Sequence, residues 1–243
     1  MPSNGTVRGC LAPAVWAVRH HDRFDDAVIA AIDLGGDTDT VAAVTGALAG
    51  ARAGIQQIPS RWVTYLHGSV ATPDGVEHVS QADLQQLALA LAGVTVSGEG
   101  PADQPLGPTE VAPWLYAANL SGAQTVPGDW AVVSLCRTGT MFSEHQIRRQ
   151  VYLIDGDGDR NGDLAAVVTD TVDAIEALLA EGRNVVVHCH GGQSRTPLVL
   201  KAWKMRRDGV DHAAAQAWLD ATWPHSWEYN HSFREFLEQR WGA

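Results

Sequence analysis

Three things are scarce in this sequence, and each shortage removes a class of protein. Cysteine occurs three times in 243 residues, as Cys10, Cys136 and Cys189. That is too few, too odd and too widely spaced for a disulfide framework, so the chain reads as one from a reducing compartment where a free thiol survives. Long apolar runs are missing as well. The stretch from Leu11 to Val18 is interrupted by Pro13 and preceded only by Arg8, and no run approaches the ~18 apolar residues of a membrane span. No membrane partner is therefore expected, and the expected location is the cytoplasm. Positive charge is the third shortage, with 17 basic against 28 acidic residues and a net charge of -11. A chain so charged presents no broad cationic face, which argues against nucleic acid as a partner. Any anion it binds must be held locally.

What is present falls into two parts. Between about Gly93 and Pro113 the sequence GVTVSGEGPADQPLGP collects glycine, proline and small polar residues without periodicity, as a linker does. Before it lie helical signals at 24 to 34, 40 to 54 and 81 to 93, the last capped by Ser80 with Asp83 three residues on. After it, apolar runs at 130 to 136, 150 to 154 and 184 to 189 alternate with a helical pattern at 164 to 182, and helices follow from about Thr196. The expected division is a helical region at 1–93, a linker at 94–107 and an α/β domain at 108–243. Its central sheet should be mostly parallel and flanked by helices.

Chemistry concentrates in VVVHCHGGQSRTPLVLKAW, residues 185 to 203. A buried strand ends at Cys189, a glycine-containing loop follows, and a helix begins near Arg195. Backbone N–H groups of the loop and of the helix N-terminus then converge on one point, which attracts an anion. Cysteines at such points, near a cation, ionise at ~3.5 to 7.5 rather than ~8.5 and become nucleophiles. Arg195 can fold back to hold two oxygens of a phosphate. Thr196 offers a hydroxyl to the sulfur when it becomes the leaving group. The phosphate-binding set is His190, Gly191, Gly192, Gln193, Ser194 and Arg195.

His188, Cys189, Gly192, Arg195 and Thr196 fit H-C-x-x-G-x-x-R-[S/T], the signature of the cysteine-dependent protein phosphatases, and the context resembles their dual-specificity group. The resemblance covers roughly residues 108 to 243, with WLYAANLSGA (114 to 123) similar to that family's opening strand and turn. It implies a two-step reaction: Cys189 attacks phosphorus, an upstream aspartic acid protonates the leaving oxygen, and water hydrolyses the phosphocysteine. It implies no cofactor for this half. The upstream carboxylates sit in YLIDGDGDRNGDL (152 to 164), and Asp157 stands 32 residues before Cys189, the family's usual interval. Asp157 is thus the first candidate for the acid, with Asp159 and Asp155 behind it, while Asp163 reads as a helix N-cap. The same loop imitates a calcium site through Asp157, Asp159, Asn161 and Gly162. The position that should carry the closing glutamate is Val168.

A second motif occupies residues 33 to 51, DLGGDTDTVAAVTGALAGA. Asp37, Asp39 and Thr40 gather hard oxygen donors at a helix start, which suits magnesium rather than zinc. This stretch resembles the C-terminal part of the ADP-ribosylglycohydrolases, helical enzymes with two magnesium ions. The resemblance runs from about Asn4 to Gly93 and includes IPSRW (58 to 62). About ninety residues represent the tail of that fold, and the aspartate-rich segment that supplies its other metal ligands is expected to lack a counterpart before Asn4. The expected whole is therefore a partial, inactive glycohydrolase region, its apolar helices open to a partner chain, joined to a complete phosphatase.

Two further readings stand beside the enzyme. The chain is a glycohydrolase-family protein whose magnesium site another chain completes, or it is a non-catalytic phosphate-sensing module. The tryptophans, Trp223 and Trp227 included, are taken as packing anchors. The phosphate loop contains no lysine between Cys189 and Arg195. With a net charge of -11, this favours a phosphorylated protein or small phosphomonoester of low additional charge as substrate.

Overall fold

A computed structural model describes residues 5–63, 66–73, 75–93, 104–139, 141–156, 160–227 and 230–241. The chain forms two compact units, Met1–Pro59 and Ser60–Ala243. In the first, α1 (Val7–His20), α2 (Phe24–Asp33) and α3 (Thr38–Ala53) pack through small side chains. Ala14, Ala17, Ala27, Ala31, Val41 and Thr45 are fully buried. Phe24 lies across α3, where a Cβ on Gly50 would stand 3.7 Å from its ring. Arg52 donates to the Val18 and His21 carbonyls, both at 2.6 Å, and so ties α3 to the end of α1. Helix α1 was not apparent from its sequence because Pro13 lies within it. On the outside, Val7, Leu11, Ile29 and Ile32 stay exposed.

The second unit begins with α4 (Ser60–Val63) and an antiparallel hairpin of β1 (His67–Thr72) and β2 (Gly75–Ser80), followed by α5 (Gln81–Leu91). The hairpin adds strands where the sequence pattern suggested helices alone. Its residues carry Gly68, Gly75 and small polar groups rather than a β-branched alternation. Ser80 and Asp83 form the expected capping box on α5. Of the expected linker, residues 94–103 lie outside the described residues. Its last residues are held fast: Asn119 donates to the Gln104 carbonyl at 2.7 Å and accepts from the Leu106 amide at 2.9 Å.

A five-stranded sheet follows, built from β3 (Thr109–Ala112), β4 (Leu115–Asn119), β5 (Ala131–Ser134), β6 (Ile147–Gln150) and β7 (Val185–Cys189) in the order β3-β4-β7-β5-β6. Only the β3–β4 pair is antiparallel. The mostly parallel α/β architecture expected from the sequence is present. Central β7 is buried along its whole length, which is why it reads VVVHC rather than as an alternating strand. Helices α7 (Leu164–Ala180), α8 (Arg195–Asp208), α9 (His212–Thr222) and α10 (His231–Gln239) contribute to the core on one face. Short α6 (Leu120–Ala123), Val126 and Phe142 pack on the other. Asp163 caps α7 by accepting from Ala166 N at 3.0 Å, as read from the sequence.

One strand was misplaced. The run at 150 to 154 was expected to be a strand, but sheet pairing ends at Gln150. Asn161 explains the departure, since its amide bonds both the N–H and the C=O of Ile154, at 2.9 and 3.0 Å, and takes that backbone out of sheet pairing. Among the described residues no helix is long and apolar enough to cross a membrane.

Asn119 sits at the register position opposite Cys189 and also caps α6, accepting from Gly122 N at 2.8 Å. Asn119→Ala strands these backbone groups, and the expected loss is about 1–3 kcal/mol, visible in a thermal melt as a fall of roughly 2–4 °C per kcal/mol.

Candidate active site

Cys189 ends the central strand, 2% exposed, and the chain then turns through His190–Ser194 into α8. Four carbonyls of this turn are held by donors from outside it. His190 O accepts from Leu120 N at 3.0 Å, and Gln193 O from Trp227 N at 2.9 Å. Ser194 O accepts from Leu198 N at 3.0 Å. Gly192 O accepts from the Trp223 indole N–H at 2.8 Å. A trans peptide sets each C=O antiparallel to the following N–H. Turning these carbonyls outward therefore turns the amides of Gly191, Gln193, Ser194 and Arg195 toward the opposite side. Gly192 is indispensable to the turn. Its φ is +73°, and a Cβ there would lie 3.0 Å from the Trp223 ring and 3.3 Å from Ala118 O.

Arg195, 6% exposed, opens α8. One terminal nitrogen donates to Leu135 O at 3.3 Å and Leu153 O at 3.4 Å. Its Nε lies 3.6 Å from Asp155 Oδ2. Asp155 is bound further by Ser194 Oγ at 2.8 Å and Asn230 Nδ2 at 3.1 Å, both donating to Oδ1. Thr196 Oγ1 is buried and has no hydrogen-bond partner among the described residues. Arg195 and Thr196 open α8 directly after the turn. Asp157 and Asp159 lie outside the described residues.

His188 supports the loop from below. Fully buried, it has its Nε2 2.7 Å from Ser134 Oγ and its Nδ1 3.4 Å from Cys189 O. With the proton on Nδ1, the ring donates to Cys189 O and accepts from Ser134. Burial pushes its pKa down to about 4, the Arg195 charge adding to the fall and the Cys189 carbonyl opposing it. The imidazole is therefore a neutral prop under the cysteine.

Sequence reasoning missed two participants. Trp223 was classed as packing, and it is fully buried, yet its indole N–H fixes the loop. Asn230, which locks Asp155, lies outside any motif, and its only signal was a helix N-cap on α10.

The N-terminal oxygen donors are placed differently. Asp37 precedes α3, and the Asp39 carboxyl is held below its usual range chiefly by a hydrogen bond with Asp37 and then by the Thr40 amide. Gly5 comes so close that a Cβ on it would stand 2.6 Å from Asp37 Oδ2. Two carboxylates and a threonine hydroxyl make only part of a hard-cation site. Among the described residues no cluster of three or more His, Cys, Asp or Glu could hold a metal. The described donors do not fit a resident magnesium ion by themselves.

Two chemical outcomes check this site. A histidine whose folded pKa lies below its unfolded 6.5 destabilises the fold as pH falls from 6.5 toward 4, because the unfolded chain takes up the proton first. The expected loss over that window is about 3 kcal/mol, measured by melting at each pH, and His188→Gln should flatten the profile. Trp223→Phe keeps an aromatic ring but orphans Gly192 O. Binding of inorganic phosphate should weaken about tenfold, equivalent to ~1.4 kcal/mol, by calorimetry.

Comparison with known proteins gives different matches for different parts of the chain. Residues 1–100 match the ADP-ribosylglycohydrolase family. ADP-ribosylarginine hydrolase Tri1 of Serratia proteamaculans (strain 568) is 47% identical over 64 residues, 26% of this chain and 18% of that protein. ADP-ribosylhydrolase ARH3 of Mus musculus is 40% identical over 53 residues, 22% of this chain and 14% of that protein. The chain spans less than a fifth of the length of either relative. Among solved structures, human DUSP28 matches with a TM-score of 0.47 and 23% identity over 57% of this chain and 97% of its own. DUSP15 matches with a TM-score of 0.47 and 20% identity over 54% of this chain and 85% of its own. The ADP-ribosylglycohydrolase likeness thus lies in the N-terminal region, and the solved structures similar to the remainder are dual-specificity and tyrosine phosphatases.

Proposed function

We propose that this protein is a phosphomonoester hydrolase, acting on phosphorylated tyrosine, serine or threonine side chains or on small phosphomonoesters, through Cys189. The observation that carries the proposal is the loop between Cys189 and Arg195. Its carbonyls are tied outward by Leu120, Trp223, Trp227 and Leu198, and its amides are left to face an anion. A sensing module would need the amides and Arg195; placing a cysteine at the strand end beneath them adds a nucleophile.

In the first step the Cys189 sulfur attacks phosphorus, an S–P bond forms and the P–O ester bond breaks. The leaving oxygen takes a proton from the aspartate loop. Loop amides and the Arg195 guanidinium hold the three equatorial oxygens, where charge resides in the transition state. In the second step water attacks the phosphocysteine. The same carboxylate accepts its proton, phosphate leaves, and the sulfur departs as a thiolate that the Thr196 hydroxyl can bond. Sequence spacing names Asp157 as the acid. A second reading has its own observation: Asp155 is the described carboxylate that touches both Ser194 and Arg195. No step is assigned to residues 1–93. Asp37, Asp39 and Thr40 offer magnesium an incomplete set, and a partner chain over these helices is what would complete a glycohydrolase site.

Cys189→Ser should abolish hydrolysis of an aryl phosphate, since an alcohol does not ionise at neutral pH in this loop. Undiminished turnover in that variant sinks the mechanism. The acid is identified by leaving group. Asp157→Asn should lower turnover of a poor leaving group by about 10²-fold or more while sparing a good one. The same signature in Asp155→Asn, with Asp157→Asn silent, assigns the role to Asp155.

A further inference from the structure

The second unit contains a cleft of about 240 Å³ that the reaction above does not use. It lies where β5 and β6 meet residues 138–139 and 141–146 and the base of the β1–β2 hairpin. Among the described residues its walls carry Arg148 and Arg149 and no aspartate or glutamate, in a chain whose net charge is -11. Of the acids closest in sequence, Asp83 is not itself a lining residue and its carboxylate is already engaged by the N–H and hydroxyl of Ser80, which does line the cleft, and Glu144 is exposed and not part of the wall.

Arg148 is half-buried on β6. Its guanidinium makes no ion pair and no hydrogen bond with any described residue. Half-buried arginines ordinarily find a carboxylate or carbonyl, since a desolvated charge without a partner is unfavourable. Beside it, the side chains of Gln81, Ser143 and Gln146 also make no hydrogen bond with described residues. The unused donors come from three directions, the strand, the loop and the hairpin base, which suits a tetrahedral oxyanion better than a planar carboxylate. The cleft is smaller than the ~300–1,000 Å³ of sites for drug-sized ligands, so the ligand is compact.

Two walls are rigid. Ser134 is bonded to His188 Nε2 at 2.7 Å, and the Phe142 ring lies 5.1 Å from the His188 ring. Arg149 is fixed through its bond to Arg148 O at 3.1 Å. A site whose frame is already in place loses little freedom on binding.

We infer that this cleft is a second oxyanion site, separate from the loop after Cys189, with Arg148 as its principal cation and a phosphate group, free or on a small molecule, as its ligand. The second half of that statement rests on the phosphate-loop reading only in counting sites. The test titrates inorganic phosphate into the full-length protein and into Arg148→Gln by calorimetry, beside an aryl phosphate assay at low phosphate. Wild type should bind two phosphates. Arg148→Gln should bind one, with that site's Kd and the turnover unchanged within twofold. O-phosphoserine titrated into Cys189→Ser and Cys189→Ser/Arg148→Gln distinguishes the sources. A tighter Arg148-dependent site for the ester assigns a phosphorylated small molecule, and a tighter one for phosphate assigns the free ion. If phosphate binding is the same in wild type and Arg148→Gln, the second site does not exist. If wild type binds a single phosphate that Arg148→Gln abolishes, the cleft stands and the phosphate-loop reading falls instead.

Discussion

The orientation of four peptide groups after Cys189 governs what this protein can do. Left to itself, a turn of glycine and small polar residues would offer carbonyl oxygens and amides to solvent alike. Here Trp223, Trp227, Leu120 and Leu198 each bind one of its carbonyls, and the amides follow because the peptide is planar. Everything else in the second unit can be viewed as a means of delivering those donors. Strands β4 and β7 bring Leu120 beside His190, α8 supplies Leu198, and the end of α9 supplies Trp223.

The core explains why the donors arrive at the right place. Helices α7 to α10 share one hydrophobic cluster with the central strands, and Trp203, Trp223, Leu198 and Leu219 lie fully within it. A small movement of α9 would shift an indole nitrogen relative to Gly192, so packing precision passes directly into the geometry of the loop. His188 connects the opposite face in the same way. It joins the Cys189 carbonyl to Ser134 and Phe142, which in turn border the Arg148 cleft.

The first unit has a different character. Its core is made of alanine, valine and threonine with one phenylalanine, so each contact removes little apolar area, and large residues remain outside. Apolar side chains on that exterior and a two-carboxylate fragment at α3 are features of a region matched to under a fifth of its curated relatives' length. The physical function of such a region depends on what covers it.

Much of the fold was legible in the sequence, because patterning is local. The all-buried β-branched strand, the amphipathic α7 with Asp163 at its start, and the Ser80–Asp83 capping box all depend on neighbours within a few residues. Cys189, Arg195 and Thr196 were legible for the same reason, since a strand, a short loop and a helix start bring them together by themselves. Tertiary structure alone decided the rest. The hairpin at 67–80 carries no alternating pattern, and Pro13 concealed α1. Residue 223 is a tryptophan whose ring could have packed anywhere, and only the return of α9 beneath the loop makes its N–H a partner for Gly192. Asp155 was one carboxylate among four in its loop, and it is Asn230, 75 residues further on, that singles it out. Hydrogen bonds between residues so far apart are fixed by packing, which sequence spacing does not encode.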